Sequence, residues 1–245
     1  MTAYEENALV ELERWKSAMQ RSPSLANQLT KKLQHKVNSY IPEKVHQVIT
    51  TTIKQMIRAV LFGAEKITQQ PLLHSPLELR EKLVRDRIRF YNKAAAAEGG
   101  VTGAGGILLG FADFPLLLGL KLKLLYDIAA FYGYSLKDYK ERLYLLHIMQ
   151  LAFSSQEQRN HVYVQMIDWE SQKEYLPDDI HAFDWRTFQQ EYRDYIDLPK
   201  LVQLIPVVGA PIGAVVNYKL INKLGETAMN AYRLRWQEEQ RQRLG

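Results

Sequence analysis

At 245 residues with 47% hydrophobic side chains, the chain is long enough to bury a substantial core as one large domain or two small ones. It contains no Cys, which excludes a disulfide framework, a thiolate metal site and a Cys nucleophile, and fits a reducing compartment. The formal charge of +5 hides an asymmetry: residues 1–98 hold 16 Lys/Arg against 10 Asp/Glu, whereas residues 157–198 hold 4 against 10.

Apolar residues recur every three or four positions along most of the chain, and no run alternates long enough for a sheet, so an all-α fold is expected. A first helix over residues 3–21 stops at Ser22-Pro23. Its Glu5, Glu6, Glu11 and Glu13 are unlike the basic start and continuous apolar stretch of an export signal, and a cytoplasmic location is expected. Ser24 caps a helix to about residue 38, before Pro42. Residues 43–62 then set Val45, Ile49, Ile53, Ile57 and Val60 on one stripe that must bury against something.

Ser75-Pro76-Leu77-Glu78 stands in capping-box order and predicts a helix over residues 76–98. Its Arg80, Lys82, Arg85, Arg87, Arg89 and Lys93 are candidate contacts for anionic headgroups. The plainer reading is a solvated face in which opposite charges at helical spacing pair with one another. Further on, Gly133 stops a helix, Ser135 with Asp138 starts the next, to about residue 153, and another spans residues 155–173. Pro177 breaks the chain. Asp184 caps a helix whose Trp185, Phe188, Tyr192 and Tyr195 fall on one buried face, and a last helix spans residues 212–242.

Two glycine-rich apolar segments organise the rest. Residues 99–120 hold no charge except Asp113, and Pro115 divides them into a glycine-rich arm and a long helix over residues 115–132 with Lys121, Lys123 and Asp127 as its polar exceptions. Residues 201–218 hold no charge and include Pro206 and Pro211. Gly103, Gly106 and Gly110 in the first segment, with Gly209 and Gly213 in the second, are candidate helix-packing glycines, because small residues let backbones approach closely. Three roles stay open: close packing inside the fold, a hairpin that enters lipid, or a ligand-binding loop. Asp113 either caps the helix containing Pro115 or is buried and meets Asn217 across the two segments, with Lys121 or a ligand.

No established catalytic pattern is present. Gly103, Gly105 and Leu108 break the dinucleotide fingerprint, the phosphate-loop Lys and Ser/Thr are missing, and the six His show no metal-ligand spacing. No catalytic residue, cofactor or metal site is therefore assigned.

The run from Gly99-Gly100-Val101-Thr102-Gly103-Ala104-Gly105-Gly106 through Ala112-Asp113-Phe114-Pro115 to Tyr126 and Gly133-Tyr134 resembles the central signature of the bacterial EcsC family. Ile205-Pro206-Val207-Val208-Gly209-Ala210, with Gly213, Val216-Asn217-Tyr218 and Tyr232-Arg233, resembles its C-terminal signature. The resemblance implies a helical bacterial protein associated by gene neighbourhood with an ABC transporter linked to secretion, competence and membrane proteolysis. It implies no reaction.

The expectation is one helical domain over residues 1–245, with a basic part (1–98), a central glycine-rich part (99–198) and a C-terminal glycine-rich part (199–245), the two apolar segments packed centrally. The expected function is that of a non-enzymatic, membrane-peripheral accessory protein binding lipid, a hydrophobic ligand or a transporter component rather than nucleic acid. The alternative is a hydrolase-like enzyme on a lipid or peptide that uses Asp113 in an apolar pocket.

Overall fold

The structure is a computed structural model that describes residues 1–21, 43–63, 70–102, 114–195 and 210–244. Its α-helices are α1 (Ala3–Gln20), α2 (Glu43–Phe62), α3 (Leu77–Thr102), α4 (Phe114–Phe131), α5 (Tyr139–Phe153), α6 (Gln156–Ile167), α7 (Trp169–Gln172), α8 (Trp185–Tyr195) and α9 (Ala210–Leu244), with short 3-10 turns at Lys173–Tyr175 and Ile180–Ala182. Among the described residues there is no β-strand.

Local chemistry sets most of these boundaries. The Thr2 side chain accepts from the Glu5 backbone while the Glu5 carboxylate accepts from the Thr2 N–H, a reciprocal pair that fixes the start of α1. Asp138 and Ser155 cap α5 and α6, and Asp184 accepts from the Thr187 N–H at the start of α8. α4 ends at Gly133, whose φ of +95° suits only a residue without a Cβ. There the Tyr134 N–H donates to the Ala129 carbonyl and the Gly133 N–H to that of Ala130, both at 3.0 Å, so the final turn closes on itself.

Two expectations are corrected. The helix expected over residues 155–173 is broken at Asp168, which leaves helical geometry at φ −121°, ψ 51° and lets buried Trp169 pack on Tyr144, with ring centroids 5.2 Å apart. The Ser75 hydroxyl turns to the Leu73 carbonyl at 3.5 Å, and α3 runs on to Thr102.

α9 is the axis of the fold. It packs against α1, α3, α4 and α5, and six consecutive residues, Ala231 to Trp236, are buried, so the helix is enclosed on all sides there. Its directions relative to its neighbours follow from pairs of contacts. Arg233 meets Glu81 and Asn222 meets Asn92, which makes α9 antiparallel to α3. Tyr132 meets Met229 and Lys121 meets Asn217, which makes α9 parallel to α4. The C-terminal turns of α3 and the N-terminal turns of α4 and α9 therefore lie at one end, and both glycine-rich stretches join the helices there. Gly103, Gly106, Gly110, Gly209 and Asp113 lie outside the described residues, as does the helix expected over residues 24–38.

Candidate functional site

Two residues apart on a helix, side chains leave on roughly opposite sides. Arg233 and Arg235 use this spacing to reach two separate acidic partners from the middle of the fold.

On one side, Arg233 grips Glu81, which is wholly buried, with Nε on Oε1 and Nη2 on Oε2, both at 2.6 Å. This two-pronged geometry is the strong form of a charge-assisted hydrogen bond. Oε1 also accepts from the Tyr132 hydroxyl at 3.1 Å, and Oε2 accepts from the Tyr4 hydroxyl at 2.6 Å and from Arg85 at 3.2 Å. Arg233 reaches on to Glu11 at 2.8 Å. Burial pushes the Glu81 carboxyl up, but the hydrogen bond and charge of Arg233 outweigh it, and the net shift is downward. Glu81 is thus ionised, with both oxygens occupied, and has no means to act as a general base.

On the other side, the Arg235 guanidinium lies 3.7 Å from the Tyr134 ring centroid and 4.9 Å from that of Tyr144. It pairs with both oxygens of Glu141 and with Glu170, and Lys173 bonds the same two carboxylates. Tyr232, next to Arg233 on α9, stacks on Tyr132 and Tyr134 at 5.1 and 5.2 Å. These two junctions tie α9 to α1, α3, α5 and α7.

The opposite end of α3, α4 and α9 has a different chemistry. Asn217, 2% exposed, accepts from the Lys121 ammonium, 1% exposed, at 3.4 Å. Asn92 donates to Asn222 at 3.0 Å one level further in. Beyond this level the sequences turn mainly apolar: Ala94 to Ala97 on α3, where Glu98 is the one charge before the helix ends, Phe114 to Leu118 on α4, Ala210 to Val216 on α9. Val215 and Tyr218 are exposed there, and Phe90 is exposed on α3 nearby. Lys93, Lys123 and Lys219, one from each helix, are all exposed, and the helix registers put them within about one helical turn of the same level. They form a basic collar below an apolar end.

The six basic residues singled out on α3 divide into two sets. Arg80 bonds the Ser75 and Tyr132 carbonyls, Arg85 joins Tyr4 and Glu81, and half-buried Arg87 pairs with Asp127 at 3.2 Å and lies against Phe90 and Phe131. Lys82, Arg89 and Lys93 face solvent, with Arg89 paired to Asp86. Sequence reasoning missed Glu81, Glu141 and Arg235. The available signal was two arginines inside the otherwise apolar run Ala231-Tyr232-Arg233-Leu234-Arg235-Trp236, which require buried partners.

A profile of the EcsC protein family matches residues 6–236. The chain is 47% identical over 223 residues to Protein EcsC of Bacillus subtilis (strain 168), covering 90% of this chain and 91% of that protein. It is 31% identical over 191 residues to Uncharacterized protein YdbA of the same strain, covering 77% of this chain and 68% of that protein. No solved structure matches.

Proposed function

From the premise that the chain belongs to the EcsC protein family, we propose that it is a non-enzymatic protein that binds the membrane surface peripherally, through the apolar end shared by α3, α4 and α9. The observation that carries this reading is the coincidence, at one end, of apolar helix termini and three exposed lysines at a common level. The longest of these apolar stretches, Ala210 to Val216, rises about 10 Å, about a third of a hydrocarbon core of about 30 Å. The end reaches into one leaflet and stops at the headgroups, where the lysines meet anionic lipid. No helix among the described residues is long and apolar enough to cross a membrane, which accords with contact rather than spanning. A membrane-embedded transporter component, the partner that the family resemblance implies, meets the protein from this same side.

Flotation with vesicles of anionic phosphatidylglycerol and of neutral phosphatidylcholine, at low and high salt, tests the proposal. Binding to anionic vesicles that weakens with salt is expected. Changing Lys93, Lys123 and Lys219 together to Glu should abolish it while leaving thermal stability unchanged. Equal recovery of both proteins with the vesicles, or none of either, overturns the reading.

A further inference from the structure

Six buried side-chain nitrogen or oxygen atoms among the described residues have no hydrogen-bond partner. Four of them, His147 Nδ1, Gln150 Oε1, Trp169 Nε1 and Tyr192 OH, belong to residues that line one cavity of about 190 Å³ among α5, α6, α7 and α8. Native interiors hold few such groups, and their concentration around one cavity calls for an occupant with polar atoms of its own. Trp169, Phe183, Phe188 and Tyr192 give the cavity aromatic walls, and Leu143 and Leu176 add apolar surface.

The donor and acceptor inventory limits that occupant. The indole N–H of Trp169 only donates, so the ligand must offer an acceptor; the Gln150 oxygen, which the His147 imidazole approaches, only accepts and keeps a second lone pair for a ligand donor. A simple cation lacks the first and a simple anion lacks the second. Among the described residues no Lys or Arg lines the cavity, and Glu191 does, which further disfavours an anion. Burial pushes the His147 imidazole down to about 4, an effect that the adjacent Gln150 side chain only partly opposes, so the ring is neutral at physiological pH. We propose that this cavity binds a small uncharged planar heterocycle carrying both a hydrogen-bond donor and an acceptor on its edge, the chemistry of a free nucleobase. The aromatic walls stack on the ring. The four polar atoms are closed to water, so the occupant reaches them as these side chains rotate, and binding rigidifies α8 against α5. The site is lined by residues 143–192 and is independent of the membrane reading.

Adenine and uracil, titrated into the full chain by calorimetry and by saturation-transfer NMR, test the proposal, with tryptamine and benzoate as cationic and anionic probes. Saturable binding of at least one base at a single site is expected, together with a raised melting temperature. Tyr192→Phe keeps the ring and removes only the polar atom, whereas Trp169→Phe keeps an aromatic ring but removes the indole N–H together with part of the ring system, and each should weaken binding about tenfold or more. Circular dichroism establishes that the variants fold; if Trp169→Phe does not, Tyr192→Phe decides. No saturable base binding up to about 1 mM, the result expected if the cavity holds only water, overturns the proposal. So does affinity unchanged in the folded variants, or tighter binding of tryptamine or benzoate.

Discussion

At one end of α3, α4 and α9, Glu81 and Arg233 answer each other inside the chain, with Glu141 and Arg235 alongside. At the other end, the same three helices present lysines to solvent and continue as apolar sequence. Buried charge needs a fixed partner, so the first end is rigidly specified. Exposed charge next to apolar surface needs none within the molecule, and the second end is free to meet an outside surface. On the proposed reading, one set of helices separates holding the fold together from contacting something else.

The largest effect that would sharpen this contrast comes from the first end. Glu81→Gln leaves buried Arg233 with only the exposed Glu11 as a charge partner and should cost about 3–5 kcal/mol in chemical denaturation, with no change in the vesicle affinity of the protein that remains folded. A parallel loss of vesicle binding would break the separation of the two ends. Next, His147 has its ordinary value of 6.5 pushed down to about 4 by burial. Between those values the unfolded chain takes a proton that the folded chain refuses, so stability is complete above about pH 6.5 and falls as the pH drops towards 4. The loss should approach about 3 kcal/mol. His147→Phe should flatten that slope in urea melts at pH 7 and 5.

Arg235→Lys keeps the charge but loses the planar fork and the stacking on Tyr134 and Tyr144, so a loss of about 2 kcal/mol is expected, measured as a shift in denaturation midpoint. The smallest effect concerns the close approach of α3 and α9. A Cβ on Gly225 would meet Ile88 Cδ1 at 2.4 Å, and Gly225→Ala should cost about 1–2 kcal/mol. Adding Ile88→Ala should recover part of that cost, whereas simple additivity would show that the contact is not what opposes the methyl group.

Much of the fold was legible because the relevant chemistry is local. The caps at Asp138, Ser155 and Asp184 and the stop at Gly133 act within a few residues, and the sequence displays them directly. Asp168 was harder: nothing local forbids a helix from running through it, and the break depends on Trp169 finding Tyr144 and His147 in the interior. The arginine junctions were harder still, since Glu81 and Arg233 stand 152 residues apart. The apolar run around Asn217 marked it as buried and offered Lys121 as a companion to Asp113 beside it; Lys121 does meet Asn217, while Asp113 lies outside the described residues. The charge pattern of α3 overstated its solvent-facing side, because Arg80, Arg85 and Arg87 are engaged inside the molecule.

The opposed directions of Arg233 and Arg235 bear on how the protein is made. The ribosome delivers α9 after every helix it binds, so Glu81 and Glu141 emerge long before the cations that neutralise them. Until then the earlier helices can gather only as a loose, hydrated collection with two carboxylates facing the space where α9 belongs. Arrival of α9 supplies both counter-charges at once, and the interior closes late and cooperatively.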